Sequence, residues 1–161
     1  MLNKKITDLL NDQINKELYS AYLYLDMSTF YLGKHLYGFA SWFKKQAVEE
    51  TEHADKMISY LAQEGAPVEL KDVAHAGKSY KDLKEPLAFQ LEHEMYVTSL
   101  INKIYDAADE ANDRRTAHFL DWFIDEQTEE EKTAAMLLEK FNLLAGDNRG
   151  LYELDAELGK R

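Results

Sequence analysis

Glu50 and His53 are three residues apart, and on a helix positions i and i+3 share a face, so a carboxylate and an imidazole stand side by side. The apolar stripe that contains them, followed by steps of three and four, runs Phe39, Phe43, Gln46, Glu50, His53, Met57 and Tyr60. Three more segments give similar stripes. One is Leu10, Ile14, Glu17, Ala21, Tyr24 and Ser28; another is Leu87, Leu91, Glu94, Thr98, Ile101 and Tyr105. The last is Leu120, Phe123, Gln127, Glu130, Ala134, Leu137 and Phe141. Each stripe contains a glutamate near the midpoint of its helix. Aligned helices meet at half-length whatever their direction, so Glu17, Glu50, Glu94 and Glu130 are expected to converge, with His53 one turn along from Glu50. Unpaired buried carboxylates are costly, and a group of them repels or takes up protons. A bound multivalent cation compensates that charge directly. Oxygen ligands with one imidazole suit iron or manganese better than a thiolate-preferring metal. A lone mid-helix glutamate is usually a surface or paired residue; four at matched depth point to a metal site.

The elements that must position these residues are four long helices. Only 2 prolines and 7 glycines occur in 161 residues, and Leu, Ala, Glu and Lys, which lose little freedom in a helix, are frequent. The first helix is expected over about 3–32, stopping near Gly33, and the second from about 35 to 64, ended by Gly65, Ala66 and Pro67. Residues 66–81 show no period and read as a connection. The third helix is expected from Asp82, with Glu85 at capping-box spacing and Pro86 in the first turn, to near Asn112. A fourth runs from about Asp113 to before Gly146, and a short fifth over about 148–158. Short joints near Gly33 and Asn112 make each helix pair antiparallel. The connection can reach ~53 Å when extended. That spans a helix of ~44 Å, so it can cross the full bundle. The expectation is one domain over 1–161: all-α, a four-helix bundle with one long crossover connection and a short C-terminal fifth helix.

Composition removes other classes. The net charge of −11 disfavours nucleic-acid binding and attracts cations, although it also serves solubility. The absence of cysteine excludes disulfides, thiolate zinc, iron–sulfur clusters and a cysteine nucleophile. No apolar run is long enough to span a membrane, and the segment from Met1 to Leu10 has no signal-type apolar stretch, so the expected location is cytoplasmic.

The motif Glu49-Glu50-Thr51-Glu52-His53 resembles the second-helix signature of ferritins, and Asp125-Glu126-Gln127-Thr128-Glu129-Glu130-Glu131 resembles the fourth-helix signature of bacterial non-haem ferritins. With Glu17, Tyr24, Glu94 and the short last helix, the resemblance covers nearly the whole chain. It implies a ferritin-like fold, whose di-iron members are the standard example of such bundles. It also implies storage of iron and a ferroxidase reaction, in which dioxygen or hydrogen peroxide oxidises Fe(II) to Fe(III), inside a hollow octahedral homo-24-mer. Glu17, Glu50 and His53 would hold the first iron; Glu50, Glu94 and Glu130 would hold the second. Gln127 would orient dioxygen or a bound water. Glu49, Glu126, Glu129 and Glu130 match the ligands of a third iron site. Tyr24 matches a tyrosine that supplies an electron near the centre; from its residue type alone it is equally a core tyrosine with a satisfied hydroxyl.

Departures narrow the type. Bacterioferritins carry a second Glu-x-x-His on the fourth helix, whereas Glu126 is followed at i+3 by Glu129. They also bind haem through a methionine just before the second-helix histidine; here that position is Glu52, so no haem is expected. Two relatives fit less well. A DNA-protecting mini-ferritin shares its ligands across a subunit interface, and a rubrerythrin-like peroxidase uses a cysteine-bound iron. A purely structural bundle with paired carboxylates would show no metal dependence. Asp106, Asp109, Glu110 and Asp113 match the border of ferritin three-fold channels, and are equally an ordinary acidic helix end. His93 is turned about 100° from Glu94 on a helix, so it reads as off-site. His35, His75 and His118 have no partners at ligand spacing and are assigned surface or packing roles.

Overall fold

The computed structural model describes residues 2–161; Met1, part of the expected domain, lies outside them. Five helices make up its regular structure: α1 (Lys4–Leu32), α2 (Tyr37–Gln63), α3 (Glu85–Glu110), α4 (Arg114–Leu144) and α5 (Asn148–Leu158). None of the described helices is long and apolar enough to cross a membrane.

Side-chain caps set several ends. Asn3 accepts from the Lys5 amide at α1, Asp113 from Thr116 at α4 and Asp147 from Gly150 at α5, each occupying an amide that lacks an intrahelical partner. The turn between α1 and α2 passes through His35 at φ 59°, so α2 begins two residues later than its sequence pattern suggests. α3 also starts late, at Glu85. Asp82 accepts from the Lys84 and Glu85 amides, while the Glu85 carboxylate reaches back to the Lys81 amide. The expected capping box therefore forms one residue further out, and Asp82 stays outside the helix.

The segment from 66 to 84 is a strap laid along α1. Asn11 donates to the Pro67 carbonyl and accepts from the Glu69 amide. Asn15 donates to the Asp72 carbonyl, and Asp26 accepts from the Lys78 amide and the Tyr80 hydroxyl. These fasteners rise from the start of α1 to its end, so the strap delivers α3 to the end of the bundle where α2 begins. α2 and α3 therefore run parallel, and α1 and α4 oppose them.

Two apolar clusters fill the interior. One gathers Ile6, Leu10, Ile14, Met57, Leu61, Ile101, Ile104, Leu120 and Phe123. The other gathers Leu23, Met27, Tyr31, Phe39, Phe43, Leu87 and Leu137, closed by Leu154 and Leu158 of α5. Most stripe residues are buried as expected. Ala21, Leu91, Thr98, Tyr105 and Phe141 are only half-buried, while Ser20, Gln90, His93, Val97 and Ile104 lie inside. The α1 stripe is buried except at Ala21, whereas the buried face of α3 is rotated by about one residue from the stripe traced through it.

α5 docks on the first turn of α2. The Phe39 amide donates to Asp155 at 3.0 Å, and a Cβ on Gly38 would lie 1.7 Å from the Asp155 carbonyl oxygen. Gly38→Ala is therefore expected to destabilise the protein by about 1–3 kcal/mol through overpacking. Gly146→Ala, where the added carbon meets nothing within 4 Å, should stay within about 0.5 kcal/mol. Denaturant unfolding followed by circular dichroism compares the two; equal effects would contradict the close approach.

Candidate metal centre

Between the two apolar clusters lies a polar layer. Glu17, Glu50 and Glu94 are each 1% exposed, Glu130 is 5% exposed, and Gln46, His53 and Gln127 are buried with them. Apolar clusters fill the bundle on either side, so the layer exists because every helix places its carboxylate at the same height.

His53 Nδ1 faces Glu50 Oε2 at 3.4 Å and Glu17 Oε2 at 3.8 Å, while its Nε2 lies 3.5 Å from Glu126 Oε1. The Trp122 and Phe123 rings pack edge-on against the imidazole and fix its plane. Three sets of side chains each bring ligand atoms within 4.8 Å of one another: Glu17, Glu50 and His53; Glu50, Glu94 and Glu130; and His53, Glu126 and Glu130. The first two sets share Glu50. They also coincide with the two ligand sets implied by the ferritin resemblance. Glu17 Oε2, Glu50 Oε1 and His53 Nδ1 are buried without a hydrogen-bond partner among the described residues. Bonds of about 2.0–2.2 Å to a central cation put ligand atoms up to about 4 Å apart, so small side-chain adjustments suffice. The donor set is carboxylate-rich with one imidazole, which fits iron or manganese.

Glutamines hold three of the four carboxylates. Gln13 donates to Glu17 at 2.7 Å, Gln46 to Glu130 at 2.8 Å, and Gln127 to Glu94 at 3.1 Å. Tyr24 also donates to Glu94 through its hydroxyl. A neutral donor orients a carboxylate without cancelling its charge; an arginine here would satisfy the cluster and exclude a cation. Sequence reading passed over Gln13 and assigned no role to Gln46. The signal for Gln13 was available, since it lies one helical turn before Glu17.

The layer holds protons. Burial, joined by the charges of Glu94 and Glu17, pushes the Glu50 carboxyl well above the usual range. Burial and the Glu130 charge push Glu94 up to about 8, against the hydrogen bonds from Tyr24 and Gln127. Glu130 is raised by burial despite Gln46. Burial opposes charge on His53 too, but the adjacent Glu17 and Glu50 carboxylates raise it to about 11. For Glu17, burial is outweighed by His53, and its carboxyl falls below the ordinary value. A cation entering the layer must displace such protons.

The remaining sequence-derived residues are placed differently. Glu126 is half-buried beside His53, Glu129 is exposed, and neither Glu49 nor Glu129 joins any of the three sets. Glu49 pairs instead with Arg161 at 2.6 Å, a contact between residues 112 apart that no local spacing announces. His93 points away from the carboxylates and bonds Ser20 at 2.8 Å; burial lowers its pKa to about 4.

A four-helix bundle with a crossover strap and a carboxylate layer at half height defines the class of the protein. Residues 7–144 match the family of the ferritin-like domain. The bacterial non-heme ferritin of Campylobacter jejuni is 37% identical over 155 residues, which covers 96% of this chain and 93% of that one. That of Bacteroides fragilis is 37% identical over the full length of both chains. An open pore ferritin from the archaeon Archaeoglobus fulgidus superposes with a TM-score of 0.98 at 37% identity, covering 100% of this chain and 99% of that one. The chain belongs to the ferritin family.

The raised carboxyl of Glu94 gives a sign for pH dependence. Folded Glu94 binds its proton up to about pH 8, whereas the unfolded group releases it near its ordinary value of 4.5. The folded state therefore holds the extra proton across that window, and stability falls as pH rises through it. His53, also raised, adds loss in the same direction above its ordinary value of 6.5. Metal-free protein is expected to lose stability from about pH 5 to 8, and Glu94→Gln should reduce the slope by up to about 1.4 kcal/mol per pH unit. Denaturant midpoints across that range measure it; identical slopes in both proteins would contradict the assignment.

Proposed function

We propose that this chain is an iron-storing ferritin subunit that oxidises Fe(II) at the buried layer and deposits Fe(III) mineral inside a hollow 24-subunit shell of identical chains in the cytoplasm. The observation that supports it best is the sharing of Glu50 between two three-residue ligand sets inside one bundle. Two substrate ions that share one carboxylate are held side by side. Each gives one electron, and with two protons dioxygen becomes hydrogen peroxide, leaving two Fe(III). The hard carboxylate oxygens favour the ferric product over the ferrous reactant.

The chain's own residues have distinct parts in this reading. Glu17 and His53 hold one ion, Glu94 and Glu130 the other, and Glu50 bridges them. Gln13, Gln46 and Gln127 fix the carboxylates so that little reorganisation accompanies binding. Tyr24 keeps its proton in the metal-free protein, because burial and then the Glu94 and Glu50 charges raise its pKa well above the ordinary value. Its hydroxyl positions Glu94, which sets it where an electron can pass to the bound oxidant. Glu126, next to His53, begins a path outward to a third iron site completed by Glu49, Glu129 and Glu130. The net charge of −11 draws iron to the protein.

Addition of Fe(II) in air to the metal-free protein, followed by ferric absorbance, tests this reading together with size measurement. Oxidation well above the buffer rate by a large assembly is expected. Glu50→Ala and His53→Ala should each abolish the fast phase with the assembly intact, and Gln13→Leu should slow it by about 10–100-fold. Oxidation at the buffer rate by a monomer or dimer would contradict the function. Normal oxidation by both ligand variants would show that the centre lies elsewhere.

A further inference from the structure

The docking of α5 on α2 carries residues beyond the helix across the outside of the bundle, next to the carboxylate layer. Arg161 ends there in a three-part seat. Its Nη2 lies 2.6 Å from Glu49 Oε2, its Nη1 donates to the Trp42 carbonyl at 3.4 Å, and its guanidinium carbon stands 4.3 Å from the centre of the Trp42 ring. The pair is partly shielded, with the Arg161 side chain 25% and the Glu49 side chain 36% exposed. Stacking on an indole and a charge-assisted hydrogen bond reinforce each other in such a seat, and a guanidinium does not lose its proton. Arg161 is thus a permanent positive charge held against Glu49.

Glu49 directly precedes Glu50, and its charge is felt at Glu130 on α4. Even so, Glu49 takes no part in any set of converging ligand atoms, whereas Glu126 and Glu130 do. The guanidinium occupies Oε2 of Glu49, one of its two carboxylate oxygens, and its charge opposes a cation arriving at that carboxylate.

We propose that Arg161 is an internal counter-ion that holds Glu49 out of the third cation site, so that this site fills fully only when Arg161 releases Glu49. The proposal rests on the third-site reading above. It makes Arg161 a positioning residue: it touches no substrate in the seated state, and it sets the affinity of the outermost ion rather than of the buried pair. An ion moving outward from the layer would then meet a weak site, which suits transit to a mineral better than retention.

Calorimetric titration of the assembled metal-free protein with Zn(II), a closed-shell ion that undergoes no oxidation, tests this directly. The protein should take two tight ions per subunit and one weaker ion. Arg161→Ala should tighten the weak ion about tenfold and leave the first two unchanged, and adding Glu49→Gln should remove the gain. A second readout uses Trp122→Phe, which leaves Trp42 as the only tryptophan. In that background, filling the third site should shift Trp42 emission as the guanidinium departs, and the shift should vanish when Arg161→Ala is added. A third ion whose affinity changes less than twofold in Arg161→Ala, or a gain that survives Glu49→Gln, would overturn the role of Arg161 while leaving the third site in place. Two ions in every variant would overturn the third site and this proposal together, without touching the two-ion centre.

Discussion

Four carboxylates lie buried at one height of the bundle with a single imidazole among them, and most of the architecture follows from that concentration of charge. Left alone, such a layer is costly, and burial and mutual repulsion drive Glu50 and Glu94 to keep their protons. The surrounding donors are chosen to leave the problem unsolved. Gln13, Gln46, Gln127 and Tyr24 orient carboxylate oxygens without neutralising them. The oxygens therefore remain available to a cation that displaces the protons. The apolar clusters on either side hold the four helices in register around the layer.

The register depends on parts far from the layer. The strap fastened to Asn11, Asn15 and Asp26 sets the direction of α3 and so brings Glu94 to the level of Glu17. α5 closes the second cluster through Leu154 and Leu158, and its close approach at Gly38 carries Arg161 to Glu49. The same helix thus seals one end of the core and sets the electrostatics at the rim of the carboxylate layer.

Much of this was legible in the sequence, because helical period and half-length are local properties. The four glutamates, His53, the crossover and the short last helix follow from them. Resemblance supplied what periodicity could not: the division of ligands into two sets, the place of Gln127 and the third site. The face of α3 lies about one residue from its apolar stripe, and on α1 only Ala21 of the stripe falls outside the core. Ala21 and Tyr105 are small or amphipathic enough to sit at an edge, while Ser20, Gln90 and His93 are polar residues inside. Gln90 is the extreme case, fully buried with both amide atoms unpartnered among the described residues. Polarity alone misplaces such groups. The pairing of Gln46 with Glu130 and of Arg161 with Glu49 joins residues distant in the chain, and only the fold reveals it.

The central claim is that the buried layer holds two iron ions bridged by Glu50. Crystals of the metal-free protein soaked anaerobically with Fe(II), with anomalous diffraction recorded at the iron edge, test it most directly. Two peaks are predicted inside each bundle, one bounded by Glu17, Glu50 and His53 and the other by Glu50, Glu94 and Glu130, about 3.5–4 Å apart. An empty layer with iron bound only on the surface, or a single ion that leaves Glu94 and Glu130 unliganded, would contradict the account.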